Sequence, residues 1–190
     1  MLEDRGYDVV SSDLSHSAVA VLAERVRGQV VRADLTELPF PDDVFDAVVA
    51  GEVLEHIEDE RAALSEVVRV LRPDGVLAVS VPAHPEWFGA SDRWAGHMRR
   101  YTRETLTQAL EDAGLVVEAI RPWGFPMSSL YHRVFYDKRA AHLAEDKRER
   151  KLAKGVLGAV LTVDRLFVGV ERGCLGYLGL ARVPARNPRA

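Results

Sequence analysis

The chain has 190 residues, 47% of them hydrophobic, and a formal net charge of -4. That length and composition allow one sizeable core in an ordinary soluble domain, and the acidic balance excludes a protein that holds nucleic acid mainly through overall charge. The single cysteine, Cys174, excludes an internal disulfide and a paired-cysteine metal site, and it fits a reducing cytoplasm.

MLEDRGYDVV lacks the basic start, apolar run and cleavage site of a secretory signal, so a cytoplasmic protein is expected. MLEDRG reads as the last turn of a helix stopped by Gly6, followed by a short strand that ends at Asp13. Ser15 stands where a helix cap belongs, and Ala18, Val19, Val21, Leu22 and Val26 supply apolar helical positions up to Gly28. VVRAD is a second strand ending in an acid, Asp34. After the loop LTELPFPDD, FDAVVAG predicts a buried strand and ERAALSEVVRVL a helix broken by Arg72-Pro73-Asp74-Gly75. VLAVSVP is the next strand. Strands that alternate with helices and read as nearly continuous apolar runs predict a parallel sheet covered on both faces.

The stretch from Ala83 to His97 reads as a loop carrying Trp87, Phe88 and Trp94. Thr102 caps a helix through Ala113 that Gly114 ends, and LVVEAIRPWG reads as a strand. From Met127 to about Lys154 the sequence predicts a charged helix. Its basic run, Lys147, Arg148, Arg150, Lys151 and Lys154, is interleaved with acids as on a solvated face. Gly155–Leu180 is apolar but interrupted by Asp164, Arg165, Glu171 and Arg172. It reads as an amphipathic core helix rather than a membrane span, with peripheral membrane contact through 155–180 as the alternative. GYLGLARVP supplies a last strand and ARNPRA a tail. The expected organisation is a partial cofactor-binding core over 1–125, a helical insertion or lid over 126–173, and the last strand and tail over 174–190.

Asp13 and Asp34 end successive strands and so lie on the carboxyl edge, where open α/β folds bind ligands. A carboxylate there can accept from both hydroxyls of a ribose, and the second can accept from an exocyclic amine such as that of adenine. For either acid alone, a solvated strand end or a cap is the simpler reading; the pair points to a nucleotide-like ligand.

RGYDVVSSDLS, VVRADLTELPFPDDVFDAVVAGEVLEHIED and RVLRPDGVLAVSVPAH, in that order and spacing, closely resemble class I S-adenosylmethionine-dependent methyltransferases. The resemblance covers most of Arg5 to Gly124. It implies a Rossmann-like, doubly wound α/β sheet with a helical insertion before the last strand. It also implies an enzyme that uses S-adenosyl-L-methionine to methylate a small-molecule or lipid-like acceptor. By this likeness Asp13 with Leu14 holds the cofactor ribose, Asp34 with the Leu35 backbone forms the adenine site, and Gly51 and Glu52 line the methionine end. GHMRRYT resembles a segment of one branch of the family. Within it His97 is a candidate base, Arg99 or Arg100 an acceptor-binding cation, and Tyr101 a pocket wall, while His56 in LEH is a candidate near the substrate. Each has a plain alternative: loop hydrogen bonding for His97, solvated charge for the arginines, core packing for Tyr101, a helix-start contact for His56. Trp87, Phe88 and Trp94 suit an apolar acceptor or core packing equally. No metal ligands are read from the sequence, and no nucleic-acid partner is expected.

The chain departs from the family pattern in having no strand and glycine-rich loop ahead of its first acidic strand. A start recorded too late and a genuine remnant both explain this, the first being preferred. A remnant unable to hold the cofactor is thus the alternative function. A nicotinamide-dependent oxidoreductase also places an acid at the second strand, but it leaves LPFPDD, LEH and LRPDG unexplained. Without that strand two sheet edges lack a partner, which predicts impaired activity and a poorly stable or slowly folding chain.

Overall fold

In the computed structural model, residues 2–126 and 170–186 are described. The order is β1 (Val10–Asp13), α1 (His16–Ala23), β2 (Gln29–Arg32), β3 (Phe45–Gly51), α2 (Glu60–Val70), β4 (Leu71–Pro82), α3 (Ala90–Ala95), α4 (Arg103–Asp112), β5 (Val116–Trp123) and β6 (Gly176–Arg182). The strands form two sheets. β1 and β2 pair in parallel by themselves, while the other four run in the order β3-β4-β6-β5. β3 and β4 are parallel; β6 lies antiparallel between β4 and β5. The expected α/β architecture is present, and the strands fall into two sheets: among the described residues β1 and β3 are each an open edge.

Local signals act as the sequence predicts at several ends. Gly6 stops a 3-10 turn at Glu3–Arg5 with φ 86°, and Gly114 follows α4 with φ 86°. The Ser15 hydroxyl accepts the Ala18 amide, and the Thr102 hydroxyl accepts the Thr105 amide. Other expectations need correction. The first helix stops at Ala23, short of Gly28. Arg72-Pro73-Asp74-Gly75 does not separate helix from strand, because β4 starts at Leu71, directly after α2, and absorbs these residues in an irregularity opposite Phe45–Ala47. The loop after β4 contains a short helix, α3, that shows no apolar periodicity.

The core lies in the larger sheet. Leu64 and Val67 of α2 and Leu106 and Leu110 of α4 are fully buried with Leu77 and Val81 of β4. β6 fits between its neighbours because a Cβ at Gly176 would lie 2.5 Å from Val81 O and 2.6 Å from Trp123 Nε1. By contrast, no residue from 2 to 37 is buried. That unit is fastened by Glu3, whose Oε1 accepts the Arg27 and Gly28 amides at 2.9 and 2.6 Å. Leu35 packs against the main core. The predicted insertion over 126–173 falls almost wholly outside the described residues. Of the apolar stretch 155–180, residues 176–180 belong to β6 rather than to a helix. Among the described residues no helix is long and apolar enough to cross a membrane.

Candidate active site

Parallel pairing of β1 with β2 aligns Asp13 with Arg32 and places Asp13 and Asp34 on one carboxyl edge. Both acids are exposed and each uses one oxygen locally. Asp13 Oδ1 accepts the Ser15 amide at 2.7 Å, and Asp34 Oδ1 accepts the Thr36 amide and hydroxyl at 2.9 and 2.8 Å. The Thr36 amide and hydroxyl hold the Asp34 carboxyl below its ordinary value, so it is an acceptor at neutral pH. The Leu14 carbonyl accepts from Arg32 Nε at 2.9 Å, tying the two strand ends together.

The loop after β2 is pinned to α2. Arg69 donates to Leu38 O, Phe40 O and Asp42, and its Nε and Nη2 also reach Glu66; Glu66 in turn accepts the Leu38 amide at 2.8 Å. This cluster sets the course of the loop from Asp34 toward β3.

β3 ends at Gly51, and Glu52 adopts a left-handed φ of 53°. That conformation is sparsely populated for a residue with a side chain, and the neighbouring strand holds it here. The Glu52 amide donates to Ser80 O at 3.0 Å and to Ser80 Oγ at 3.1 Å, while Ser80 Oγ donates to Glu52 Oε1 at 2.8 Å. A Cβ at Gly51 would meet only Ser80 Oγ, at 3.7 Å, so the strand end leaves space above it.

Beyond Glu52 the 3-10 turn Leu54–His56 turns one carboxyl inward. Glu55 is 0% exposed and neither carboxyl oxygen has a hydrogen-bond partner. Burial pushes its pKa up to about 8, and the Glu52 and Asp92 carboxylates act in the same direction. The segment after α3 is joined to this turn by its backbone: the Met98 amide donates to Glu55 O at 2.7 Å, and Arg99 Nη2 donates to Ile57 O and Glu58 O. His56 and His97 meet edge to face, with centroids 4.7 Å apart. His97 Nδ1 lies 2.9 Å from Asp92 Oδ1, which also accepts from the buried Arg100 Nε at 2.7 Å. Burial works to raise the Asp92 carboxyl, but the Arg100 guanidinium and the Gly89 amide outweigh it and hold it low.

The structure thus puts Asp13 and Asp34 on one strand edge, and it brings His56 against His97. Glu55 was missed in the sequence because only the fold shows that it points inward. Tyr101 occupies the core instead of an open pocket, and its hydroxyl donates to Glu60. Arg100 and Arg99 are engaged with Asp92 and with backbone carbonyls respectively, so they act as fasteners. Trp87 stacks on His84 at 4.1 Å, Phe88 is half-buried, and Trp94 and Met98 are exposed. Two shallow clefts lie away from the acid edge, one lined by Glu60, Leu64, Ala109 and Asp112, the other by Tyr7, Val9 and Arg27.

Comparison with known proteins bears on these residues. A methyltransferase-domain family model matches residues 1–79. A "Probable S-adenosylmethionine-dependent methyltransferase" of Mycolicibacterium smegmatis is 36% identical over 121 residues, which is 62% of this chain and 47% of the relative. A demethylmenaquinone methyltransferase of Beutenbergia cavernae is 34% identical over 127 residues, 64% of this chain and 52% of its own. The chain spans about half the length of the curated relatives it matches. Among solved structures, the [4+2]-cyclase SpnF superposes with TM-score 0.65 at 23% identity, over 94% of this chain and 67% of that one. A SAM-dependent methyltransferase of Methanosarcina mazei gives 0.61 at 18% identity, over 97% and 86%. These two show the fold alone. The family match falls on the strands that carry Asp13, Asp34 and Gly51, and the fold carries the likeness on to β6, so over this span the chain is similar to S-adenosylmethionine-dependent methyltransferases.

Proposed function

We propose that this chain holds S-adenosylmethionine for methyl transfer to a small, apolar acceptor. The observation that carries the reading is the placement of Asp13 and Asp34 on one carboxyl edge, each exposed and each with only one oxygen used in a local turn. The residues present fit the nucleoside part of the cofactor. Asp13 would accept the ribose hydroxyls, Asp34 and the Leu35 backbone would receive the adenine edge, and Gly51 and Glu52 would line the methionine end. When bound, the cofactor supplies a methyl group on a sulfonium, already a good leaving group. The chain's own tasks are then to bind, to align and to exclude water.

Glu52 is suited to the positioning task because Ser80 fixes both its amide and its carboxylate. His97 presents Nε2, since Asp92 occupies Nδ1. Trp94 and Met98 flank it in sequence and expose apolar surface, which supports an acceptor with an apolar ring or chain. Relatives named as demethylmenaquinone and sterol 24-C-methyltransferases support the same acceptor class. Calorimetric titration of S-adenosylhomocysteine into the full chain and into Asp13→Ala tests the reading. Saturable binding weakened by the substitution supports it, and binding by neither favours a module that does not hold the cofactor.

A further inference from the structure

Glu55 presents an unsolved electrostatic problem. Its side chain is fully buried, and both oxygens lack a donor. A buried carboxylate without compensation is costly, and natural proteins pair such groups or coordinate a cation with them. Among the described residues, two imidazoles stand beside it, and the Glu52 and Asp92 carboxylates also act on it. Glu55, His56 and His97 each offer one ligand atom, and these atoms all lie within 4.8 Å of one another. Glu55 Oε1 stands 4.0 Å from His56 Nε2.

Both imidazoles are oriented by their other nitrogen. His97 Nδ1 is 2.9 Å from Asp92 Oδ1, and His56 Nδ1 is 3.3 Å from Gly96 O. Metal-ligating histidines are held in this way, one nitrogen on a carboxylate or carbonyl and the other free for the ion. Asp92 cannot drift, because Arg100 Nε and the Gly89 amide hold its two oxygens at 2.7 and 2.8 Å.

We infer that Glu55, His56 and His97 form a binding site for one divalent first-row cation of the zinc type. Two imidazoles and one carboxylate are a donor set that suits zinc and its neighbours, with a further position left for water or a ligand oxygen. Ligand atoms bound to one tetrahedral ion stand about 3.3 Å apart, given bond lengths of about 2.0–2.2 Å. The Glu55–His56 pair, 4.0 Å apart, must therefore close by about 0.7 Å, and a pair at the 4.8 Å limit by about 1.5 Å. The His56 side chain, 39% exposed, has room to turn. On binding, the cation would displace the proton of Glu55 to solvent and be paired there with its carboxylate. The inference goes beyond methyl transfer and stands whether or not the chain binds a cofactor.

The test uses the full chain, stripped with a chelator, dialysed, and titrated with Zn2+ by calorimetry and with Co2+ by visible absorption. One ion per chain is expected, with Co2+ bands of a four- or five-coordinate site. His56→Ala and Glu55→Gln should each weaken uptake at least about tenfold. His16→Ala, at the exposed start of α1, should leave it unchanged. Circular dichroism checks that each variant is folded; if Glu55→Gln is not, the exposed His56→Ala decides alone. Absence of stoichiometric uptake would overturn the inference. So would uptake indifferent to His56→Ala but lost in His84→Ala, which would locate the ion where His84 Nε2 lies 3.8 Å from Cys174 Sγ.

Discussion

Ser80 Oγ and the Glu52 carboxylate form a closed pair: the hydroxyl receives the Glu52 amide at 3.1 Å and donates to Glu52 Oε1 at 2.8 Å. The pair crosses from β4 to the end of β3 and holds Glu52 at φ 53°. Ser80→Ala removes both side-chain bonds and leaves only the Ser80 carbonyl to retain the turn. The variant should lose about 1 kcal/mol of stability in urea unfolding. If Glu52 lines the methionine end of the cofactor, affinity for S-adenosylhomocysteine should fall in parallel.

The acid limb of stability should reflect Glu66. Its hydrogen bonds to Arg69, with the Leu38 amide adding to them, hold its carboxyl below the ordinary 4.5. A group depressed in the folded state contributes stability that is present above its unfolded pKa and lost as pH falls through the folded one. Melting temperature recorded downward from pH 5 should therefore fall less steeply in Glu66→Gln than in the parent. The variant should also start lower at pH 7, because it loses the Arg69 pairing.

Edge exposure makes a separate prediction. Among the described residues β3 pairs only with β4, and its Val49 side chain is 66% exposed. Such an edge recruits other chains. Light scattering should show self-association that grows with protein concentration, and Val49→Lys should reduce it. A monodisperse parent that melts cooperatively at high temperature would contradict this.

Stability should also be unevenly distributed. Residues 2–37 contain no buried side chain, whereas Leu106 and Leu110 are fully buried. Leu106→Ala should cost about 2–5 kcal/mol, as large-to-small core substitutions do. Val21→Ala, on the half-covered α1, should cost far less. Hydrogen exchange should release the β1 and β2 amides well before those of β4.

Much of this arrangement was legible because its signals are local. Gly6, Ser15, Thr102 and Gly114 mark element ends through backbone conformation and capping, which depend on neighbours in sequence. The strand-end acids are legible for the same reason, since Asp13 and Asp34 need only parallel pairing to share an edge. What failed depends on distant contacts. Arg72–Gly75 looks like a break, yet pairing with β3 draws Leu71 into the strand. Arg99 and Arg100 look available to a ligand or to solvent, but carbonyls of Ile57 and Glu58 and the Asp92 carboxylate claim them, while Tyr101 packs in the core as its plain alternative had it. The Glu55–His56–His97 cluster joins segments about forty positions apart, His56 touching Gly96, and no spacing in the sequence announces it.

The most direct measurement is titration of S-adenosylhomocysteine into the full chain beside Asp13→Ala and Asp34→Ala. Each acid should contribute a charge-assisted hydrogen bond of about 1.5–3 kcal/mol, hence a loss of roughly tenfold to a hundredfold in affinity per substitution. One-to-one binding weakened to that degree by both is the predicted result; no binding, or binding that neither substitution changes, would contradict the placement of the cofactor on this edge.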